Sequence, residues 1–419
     1  MTTMSERLDV AFVPAECPGS DGTGATHSST IYIERLSHHH DLTVYVSTQM
    51  DAREATLPAQ DRVEYVLHDR LPKLPHPIFT KMDALREERA ALERHDLVHS
   101  YSSAFIPVLA DLDVPTLLTL NSYLPVCPKA DMMYHGERKC SGPGQLKCAT
   151  CVPATAMKRR QGLEAELRQG YVSMGQIPFV RSSMAHAEEI TAYHALSPHL
   201  KEDYADLGFP AEATTVVPHF YDEGFYRPRE GPAELTEPIT ALYVGALQDI
   251  KGVETLIRAL ALLRRTGHDV ELQVAGRGPL EGTLRELAID LGVSDAITWL
   301  GYVDHGELPD LYRSSDVFVY PGIIDEPFGR VMLEALATHT PIVSADVGSM
   351  DYIIGPAGTL FEPGDPESLA DAFEALCVEY ADHRAAIPEQ LERFAPETVI
   401  ESLGSLYADV ATSFSTRST

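Results

Sequence analysis

Two glutamates flank a proline–phenylalanine–glycine turn in the segment DEPFGRVMLEAL, residues 325–336. Glu326 precedes the turn, and Glu334 follows inside an apolar run that favours a helix. A carboxylate at either position can accept hydrogen bonds from vicinal hydroxyl groups, and the unpaired N–H groups of the helix start can bind a phosphate. The spacing alone leaves a second interpretation open, in which both acids only stabilise the N-terminal end of a solvated helix.

A strand-like run ends directly before the first of these acids. The segment SSDVFVYPG, residues 314–322, predicts a buried strand followed by a turn. In open α/β sheets, ligands bind at the carboxyl ends of the strands. The strand end, the helix start and the two acids together fit a sugar nucleotide, with phosphates at the helix and hydroxyl groups at the carboxylates.

Two further segments place suitable residues at strand ends. In YVGALQDIKGVETLIRAL, Lys251 follows a strand and precedes a helix, where an ammonium group can neutralise a diphosphate leaving group. In VAGRGPLEGTLREL, Gly276 and Gly278 form a glycine-rich turn after another strand. Both segments favour ligand binding over the solvated helix.

Strand-like runs alternate with helical stretches along the whole chain, and 419 residues exceed the size of one compact core. This alternation predicts an α/β fold with two Rossmann-like, doubly wound parallel sheets and an interdomain cleft. We expect a first domain over 1–212 and a second over 213–389, where a second series of strands begins. The amphipathic segment 390–419 is expected to form a helix that packs back on the first domain.

The ordered motifs from about residue 213 to 375 resemble the second domain of retaining GT-B glycosyltransferases of the GT4 family (glycosyl transferases group 1). The matched order is a strand followed by glycine, then KG, G-x-G-P, LG-x-V, E-P-F-G with its second glutamate, and P-I-V before a glycine turn. A lone G-x-G-P would be weak support, whereas the ordered set is specific. The resemblance implies a GT-B fold and a nucleotide-sugar donor.

The resemblance also implies roles for individual residues. Glu334 would hold the nucleotide ribose, Glu326 would contact the donor sugar, and Lys251 would bind the diphosphate. The catalytic residues implied are Glu326, Lys251 and Asn121. The donor-binding residues implied are Gly22, Gly24, Tyr302, Val303, Phe328, Gly329, Arg330 and Glu334. Arg277 is a further candidate as a second cation for the donor, although its position usually has no such role in the family. Retaining members are thought to use a front-face substitution, in which the leaving phosphate helps to deprotonate the acceptor and no protein nucleophile is needed.

Several positions depart from the family pattern. The arginine expected after the strand-end glycine is Ala246, and the histidine expected after LLTL is Asn121. An amide can hydrogen-bond a sugar hydroxyl but cannot carry the positive charge of an imidazolium. The glycine pair expected in the first domain is Thr23-Gly24, with Gly22 one place earlier. These changes leave the efficiency of the chemistry and the identity of the sugar open.

Four of the six cysteines lie in the segment CPKADMMYHGERKCSGPGQLKCATC, residues 127–151. They are Cys127, Cys140, Cys148 and Cys151, and the last two form a C-x2-C pair. In a cytosolic chain the thiols stay reduced, so the cluster is expected to bind a structural zinc ion. An iron–sulfur cluster, free thiols and a redox pair remain as alternatives. The segment also resembles a cysteine insert of some family members.

The acidic balance of the chain excludes some partners. The sequence has 62 acidic and 33 basic residues, a formal net charge of −29. This balance is typical of a halophile-type surface, with an ordinary acidic cytosolic protein as the alternative, and either one disfavours nucleic acid. The absence of a signal peptide or of a long apolar tract predicts a cytoplasmic protein, and membrane association is not indicated.

Taken together, the sequence predicts a glycosyltransferase that moves a hexose-type sugar with retention from a nucleotide-diphosphate donor. The acceptor would be a glycan, a lipid-linked molecule or a small molecule. The chemistry needs no cofactor, and zinc would be structural. The alternative is a non-catalytic GT-B protein that binds a nucleotide sugar or docks on a partner, and a GT-B phosphorylase or a sugar-nucleotide epimerase is a weaker one.

Overall fold

The computed structural model describes residues 7–20, 24–74, 76–158, 163–230 and 234–417. The chain divides into two compact units. Unit 1 comprises the described residues of Met1–Pro153, Gly170–Pro218 and Val399–Thr419, and unit 2 comprises those of Ala154–Gln169 and His219–Thr398.

Unit 1 contains a seven-stranded sheet in the order β3-β2-β1-β4-β5-β8-β9, and every neighbouring pair is parallel. An antiparallel pair, β6 with β7, lies outside it. The strands of unit 1 are β1 (Asp9–Val13), β2 (Asp41–Ser47), β3 (Val63–His68), β4 (Leu97–Ser100), β5 (Thr116–Leu120), β6 (Met133–Tyr134), β7 (Arg138–Lys139), β8 (Ala192–Ala195) and β9 (Thr214–Val216). The strands β4, β5 and β8 are buried at every position, as expected where helices cover both faces of a parallel sheet.

Unit 2 contains a six-stranded parallel sheet in the order β12-β11-β10-β13-β14-β15. Its strands are β10 (Ile239–Val244), β11 (Val270–Ala275), β12 (Ile297–Gly301), β13 (Val317–Tyr320), β14 (Ile342–Ala345) and β15 (Gly358–Phe361). The chain builds β11 and β12 on one side of β10 and then crosses to β13 on the other side. The carboxyl ends of β10 and β13 therefore form the switch point where open α/β sheets bind ligands.

Helices connect the strands of both sheets. They are α1 (Gly24–Leu36), α2 (Pro77–Glu87), α3 (Arg89–Leu92), α4 (Ile106–Leu109), α5 (Gln145–Lys158), α6 (Leu163–Gly175), α7 (Ile177–Ala185), α8 (Pro198–Asp206), α9 (Val253–Thr266), α10 (Glu281–Asp290), α11 (Leu308–Ser314), α12 (Arg330–Ala337), α13 (Met350–Ile354), α14 (Pro366–Val378), α15 (Tyr380–Glu392) and α16 (Pro396–Arg417). Among the described residues, no helix combines the length and the apolarity needed to cross a bilayer.

The two parallel sheets confirm the prediction of two Rossmann-like domains, but two boundaries differ from it. The strand β9 pairs with β8 in the first sheet, so the second series of strands begins at Ile239 and not near residue 213. A three-residue strand carries too little pattern to show which sheet it joins. Residues 390–398 lie in unit 2, so the C-terminal part grouped with unit 1 is shorter than 390–419.

A buried chain of hydrogen bonds ties α16 to the first sheet. His99 Nδ1 lies 2.6 Å from the Tyr407 hydroxyl, and its Nε2 lies 2.8 Å from Thr119 Oγ1. Thr119 Oγ1 lies 3.0 Å from His194 Nδ1, and His194 Nε2 lies 2.6 Å from the Val217 carbonyl. Because a carbonyl only accepts, His194 Nε2 donates to Val217, and His194 Nδ1 therefore accepts from the Thr119 hydroxyl. Thr119 Oγ1 in turn accepts from His99 Nε2, and His99 Nδ1 accepts from the Tyr407 hydroxyl. The chain is fully satisfied with both imidazoles neutral, so His99 is structural.

Acid is expected to weaken this network. Burial lowers the pKa of His99 well below its ordinary value and lowers the pKa of His194 from 6.5 to about 4. The unfolded chain therefore takes up protons at a higher pH than the folded chain. The contribution to stability is complete above pH 6.5 and is lost progressively as the pH falls towards about 4. Denaturant unfolding measured across this range checks the loss, and a flat profile would contradict it.

Tyr407→Phe is expected to lower the free energy of unfolding by about 1–3 kcal/mol, because it leaves His99 Nδ1 buried without a donor. Tyr171→Phe is the matched control, since the Tyr171 side chain is 65% exposed. Equal midpoints of denaturant unfolding for the two variants would show that the hydroxyl of Tyr407 contributes nothing.

Candidate functional site

The loops after β10 and β13 are packed tightly at the switch point of unit 2. Gly252 adopts φ +66°, and a Cβ atom there would overlap the Pro321 carbonyl. The Ile323 N–H donates to the Ile250 carbonyl at 3.1 Å and joins the two loops. The glycine of the Lys-Gly pair therefore has a steric role, because only glycine lets the loop that carries Lys251 approach the acidic loop this closely.

Lys251, Glu326 and Tyr320 form a connected group at these strand ends. The Lys251 ammonium forms an ion pair with Glu326 Oε1, and the Tyr320 hydroxyl donates to the same oxygen at 2.7 Å. Lys251 Nζ also lies 5.7 Å from the centroid of the Tyr320 ring. Burial, and then the Glu326 charge, raises the pKa of Tyr320 well above its ordinary value, so Tyr320 remains a donor. The structure therefore brings together two of the predicted catalytic residues, both partly exposed.

Contacts within unit 2 also hold the acidic loop from its other side. The Gly348 N–H donates to Asp325 Oδ1 at 2.9 Å, and the Ser349 hydroxyl donates to the Pro327 carbonyl at 2.9 Å. Gly348 has φ +57°, and a Cβ atom there would lie 2.7 Å from the Glu326 carbonyl oxygen. The loop is therefore fixed before any ligand arrives.

The N-terminal end of α12 lies directly after this loop. Phe328 is buried, and its ring contacts those of His219 and Phe394 at centroid distances of 5.0 and 6.0 Å. Gly329 adopts φ +79° and precedes the first helical residue, Arg330. The predicted residues Phe328, Gly329 and Arg330 therefore form the start of a helix whose first N–H groups can bind an anion.

Glu334 lies further along α12 and is only 8% exposed. Its Oε2 accepts a hydrogen bond from the Tyr312 hydroxyl at 2.9 Å. Burial, followed by the Glu334 charge, raises the pKa of Tyr312 well above its ordinary value. The phenol thus stays protonated and orients the carboxylate. The role of Glu334 at a ribose stays a prediction.

The glycine-rich turn after β11 packs against the loop after β10. Gly276 adopts φ +150°, and Cβ atoms at Gly276 and Gly278 would overlap the carbonyls of Gly245 and Leu247. Arg277 between them is exposed, and its guanidinium lies beside Gly301. Both glycines are therefore required for close approach of the backbones.

Two of the predicted donor-binding residues, Tyr302 and Val303, follow β12. Tyr302 is 65% exposed and Val303 is partly exposed. The position of Ala246, where the family carries arginine, is also exposed, and its carbonyl accepts a hydrogen bond from Tyr243 at 2.9 Å. Arg277 is the exposed cation in the neighbouring turn, and its contribution to donor binding stays a prediction.

The remaining predicted catalytic residue lies in unit 1. Asn121 follows β5, its Nδ2 donates to the Tyr101 carbonyl at 2.7 Å, and its Oδ1 accepts from the Ser103 N–H at 3.3 Å. The amide nitrogen and oxygen thus both hold the loop after β4, and the catalytic role of Asn121 stays a prediction. Gly24 begins α1, whereas Gly22 lies outside the described residues.

The four predicted metal ligands gather in unit 1. Cys127, Cys140, Cys148 and Cys151 all line one small cavity, and none of the four is in a disulfide bond. Of these four described cysteines, no three have sulfur atoms within 4.8 Å of one another. The structure thus brings the four side chains to one place without a finished tetrahedral arrangement.

Gly252→Ala is expected to lower both the melting temperature and the affinity for a nucleoside diphosphate, because the added methyl group must push the Lys251 loop away from Pro321. Gly292→Ala is the matched control, since Gly292 has φ +70° and nothing lies within 4 Å of its Cβ position. Left-handed strain of about 1 kcal/mol or more is common to both variants. Thermal unfolding and calorimetric titration check the difference, and identical behaviour would refute it.

Known proteins resemble this chain in sequence. Residues 228–393 match the protein-family model Glycosyl transferases group 1. A D-inositol 3-phosphate glycosyltransferase from Arthrobacter sp. (strain FB24) is 29% identical over 324 residues, which span 74% of this chain and 68% of the relative. The match to the family model includes the loops of Lys251 and Glu326.

Solved structures resemble it in fold. Sucrose-phosphate synthase from Thermosynechococcus elongatus matches with a TM-score of 0.70 at 19% identity and covers 97% of this chain and 100% of its own. Anabaena HepE in complex with UDP-glucose matches with a TM-score of 0.65 at 17% identity and covers 98% and 100%. These likenesses confirm the predicted GT-B fold. In sequence, residues 228–393 are similar to glycosyl transferases of group 1.

Proposed function

We propose that this protein transfers a hexose-type sugar, with retention, from a nucleoside diphosphate sugar to a glycan, lipid-linked or small-molecule acceptor. The observation that carries the proposal is the group of Lys251, Glu326 and Tyr320 at the switch point of unit 2, beside the start of α12. A cation and a helix N-terminus at one strand edge suit a diphosphate, and a carboxylate beside them suits sugar hydroxyl groups.

In the proposed reaction, Lys251 and the N–H groups at the start of α12 stabilise the charge that develops on the departing diphosphate. The bond between the anomeric carbon and the phosphate oxygen breaks, and the acceptor oxygen forms its bond on the same face. The acceptor proton passes to the leaving phosphate. Glu326 accepts hydrogen bonds from the donor sugar, and Glu334 accepts them from the ribose.

The likeness to relatives supports the donor class. One neighbour in fold was solved with UDP-glucose, and the relative from Arthrobacter is named for glycosyl transfer to D-inositol 3-phosphate. That this chain uses a donor or an acceptor of the same kind is part of the proposal, so the substrates tested should include both kinds.

The test is a panel of uridine, guanosine and adenosine diphosphate sugars, assayed for release of the nucleoside diphosphate with glycan, polyol phosphate and lipid-linked acceptors. The assays are run at low and at molar salt, because a net charge of −29 is expected to destabilise the fold when it is not screened. The anomeric configuration of the product, read by NMR, tests retention. Failure of every nucleotide sugar to bind in either salt would overturn the proposal.

Ala246 and Asn121 favour one second candidate, a GT-B protein that binds a nucleotide sugar without turnover. The first position lacks the family's cation, and the amide at the second is engaged by backbone groups. Saturable donor binding with neither transfer nor hydrolysis over the whole panel would favour this candidate. Replacing Ala246 by Arg should then raise turnover.

A further inference from the structure

Four cysteines from three separate segments of unit 1 meet at one cavity. Cys127 closes the turn after β5, where its N–H donates to the Tyr123 carbonyl at 2.8 Å. Cys140 directly follows β7, and its N–H donates to the Met132 carbonyl at 2.6 Å. Cys148 and Cys151 lie three residues apart in α5, so they share one face of the helix. The convergence does not depend on a single local turn.

The size of the cavity restricts what the thiols can hold. It is about 10 Å³, which is room for one atom the size of a water molecule. A single ion fits this space. The walls also include the apolar side chains of Val126, Met133 and Val152.

Two basic side chains, Lys129 and Lys147, also line the cavity. Lys129 is 5% exposed and pairs with Asp131 at 3.0 Å, and Lys147 donates to the Gly142 carbonyl at 2.8 Å. Four thiolates around a divalent cation carry a net charge of about −2, which the partly exposed Lys147 ammonium can partly offset, whereas the charge of Lys129 is already balanced by Asp131. Two lysines beside one cavity contrast with the formal net charge of −29 of the whole chain.

The segment between the first two cysteines is held in a costly backbone conformation. Ala130, Met132 and His135 have φ values of 56°, 50° and 55°, and they are three of the five described residues other than glycine with positive φ. Each such residue costs roughly 1–2 kcal/mol. The His135 N–H meanwhile donates to Cys151 Sγ at 3.2 Å. Metal binding would offset this strain.

We propose that Cys127, Cys140, Cys148 and Cys151 bind one divalent ion of the zinc class as thiolates and thereby fasten the loop over 127–140 to the start of α5. Binding releases four thiol protons and involves no oxidation. Zinc–sulfur bonds of about 2.3 Å place neighbouring sulfur atoms about 3.8 Å apart. Since no three of these sulfur atoms now lie within 4.8 Å of one another, the loops must close around the ion.

The experiment uses the full-length protein purified without chelator. Elemental analysis should give about one zinc per chain, and a mercurial reagent that reacts with thiols should release it. After exchange, cobalt should give the visible bands of a tetrahedral thiolate site, and titration of the metal-stripped protein with zinc should release protons. These measurements on the unaltered chain do not depend on whether a variant folds.

Serine replacements provide the second arm. Each of C127S, C140S, C148S and C151S should lower the metal content and the melting temperature, whereas C377S should leave both unchanged. Cys377 is the matched control because it is a free cysteine in α14 of unit 2. A protein that binds neither zinc nor cobalt would overturn the proposal. So would a disulfide between any two of the four cysteines, or the broad absorption of an iron–sulfur cluster.

Discussion

Replacing Lys251 by Met is expected to lower the turnover of the best donor by roughly 10²- to 10³-fold, the effect of removing one preorganised group that stabilises developing charge. Lys251 is fixed at the carboxyl end of β10 by its ion pair with Glu326 and by the tight approach at Gly252. The ammonium is therefore already in place when the diphosphate departs. The measurement is kcat at saturating donor and acceptor.

Lys73→Met is the control for Lys251→Met, because Lys73 is an exposed lysine of unit 1. Lys251→Met leaves Glu326 with the Tyr320 hydroxyl, so the loop should stay folded, and a melting temperature close to that of the unaltered protein would verify this. If kcat of Lys251→Met equals that of Lys73→Met, the proposed role of the ammonium is wrong.

Replacing Glu334 by Ala is expected to weaken the binding of a nucleoside diphosphate by about 10- to 100-fold, which corresponds to the loss of hydrogen bonds to a charged group. Glu334 is buried and accepts a hydrogen bond from Tyr312, so its removal also disturbs the protein itself. Isothermal titration calorimetry with the nucleoside diphosphate measures the loss of affinity.

Tyr312→Phe separates the two effects of Glu334→Ala. It removes the same internal hydrogen bond but keeps the carboxylate. It should lower the free energy of unfolding by about 1–3 kcal/mol, because a buried charged acceptor loses its donor. Nucleotide affinity should stay within a few fold of the unaltered protein. If both variants lose affinity equally, Glu334 acts only as a structural residue.

Much of the fold could be predicted because parallel sheets leave a strong pattern. Short, β-prone runs such as TLLTL alternate with helical stretches, and β5 occupies the predicted run and is buried at every position. The position of β9 could not be predicted, because the three residues TTV give no indication of their partner. Sheet membership depends on contacts between residues far apart in the chain.

The site was predictable only in part. The motifs identified Lys251 and Glu326, and the structure shows them in direct contact. The partners Tyr320 and Tyr312 were missed, although both lie in the segment LPDLYRSSDVFVYPG that precedes the acidic loop. The sequence pattern around a tyrosine at a strand end indicates only a core residue. Which acceptor its hydroxyl group contacts depends on the course of the following loop, which the pattern does not show. Asn121 illustrates the reverse, since its amide braces backbone groups that no local motif indicates.

The most direct test of the central claim is calorimetric titration of a nucleoside diphosphate into the unaltered protein and into Lys251→Met. The claim is that the strand ends of unit 2 at Lys251 and Glu326, with the start of α12, bind the diphosphate. The account predicts saturable binding at one site per chain, clearly weakened in the variant. Absence of binding at millimolar nucleotide in low and molar salt, or equal affinity in both proteins, would contradict it.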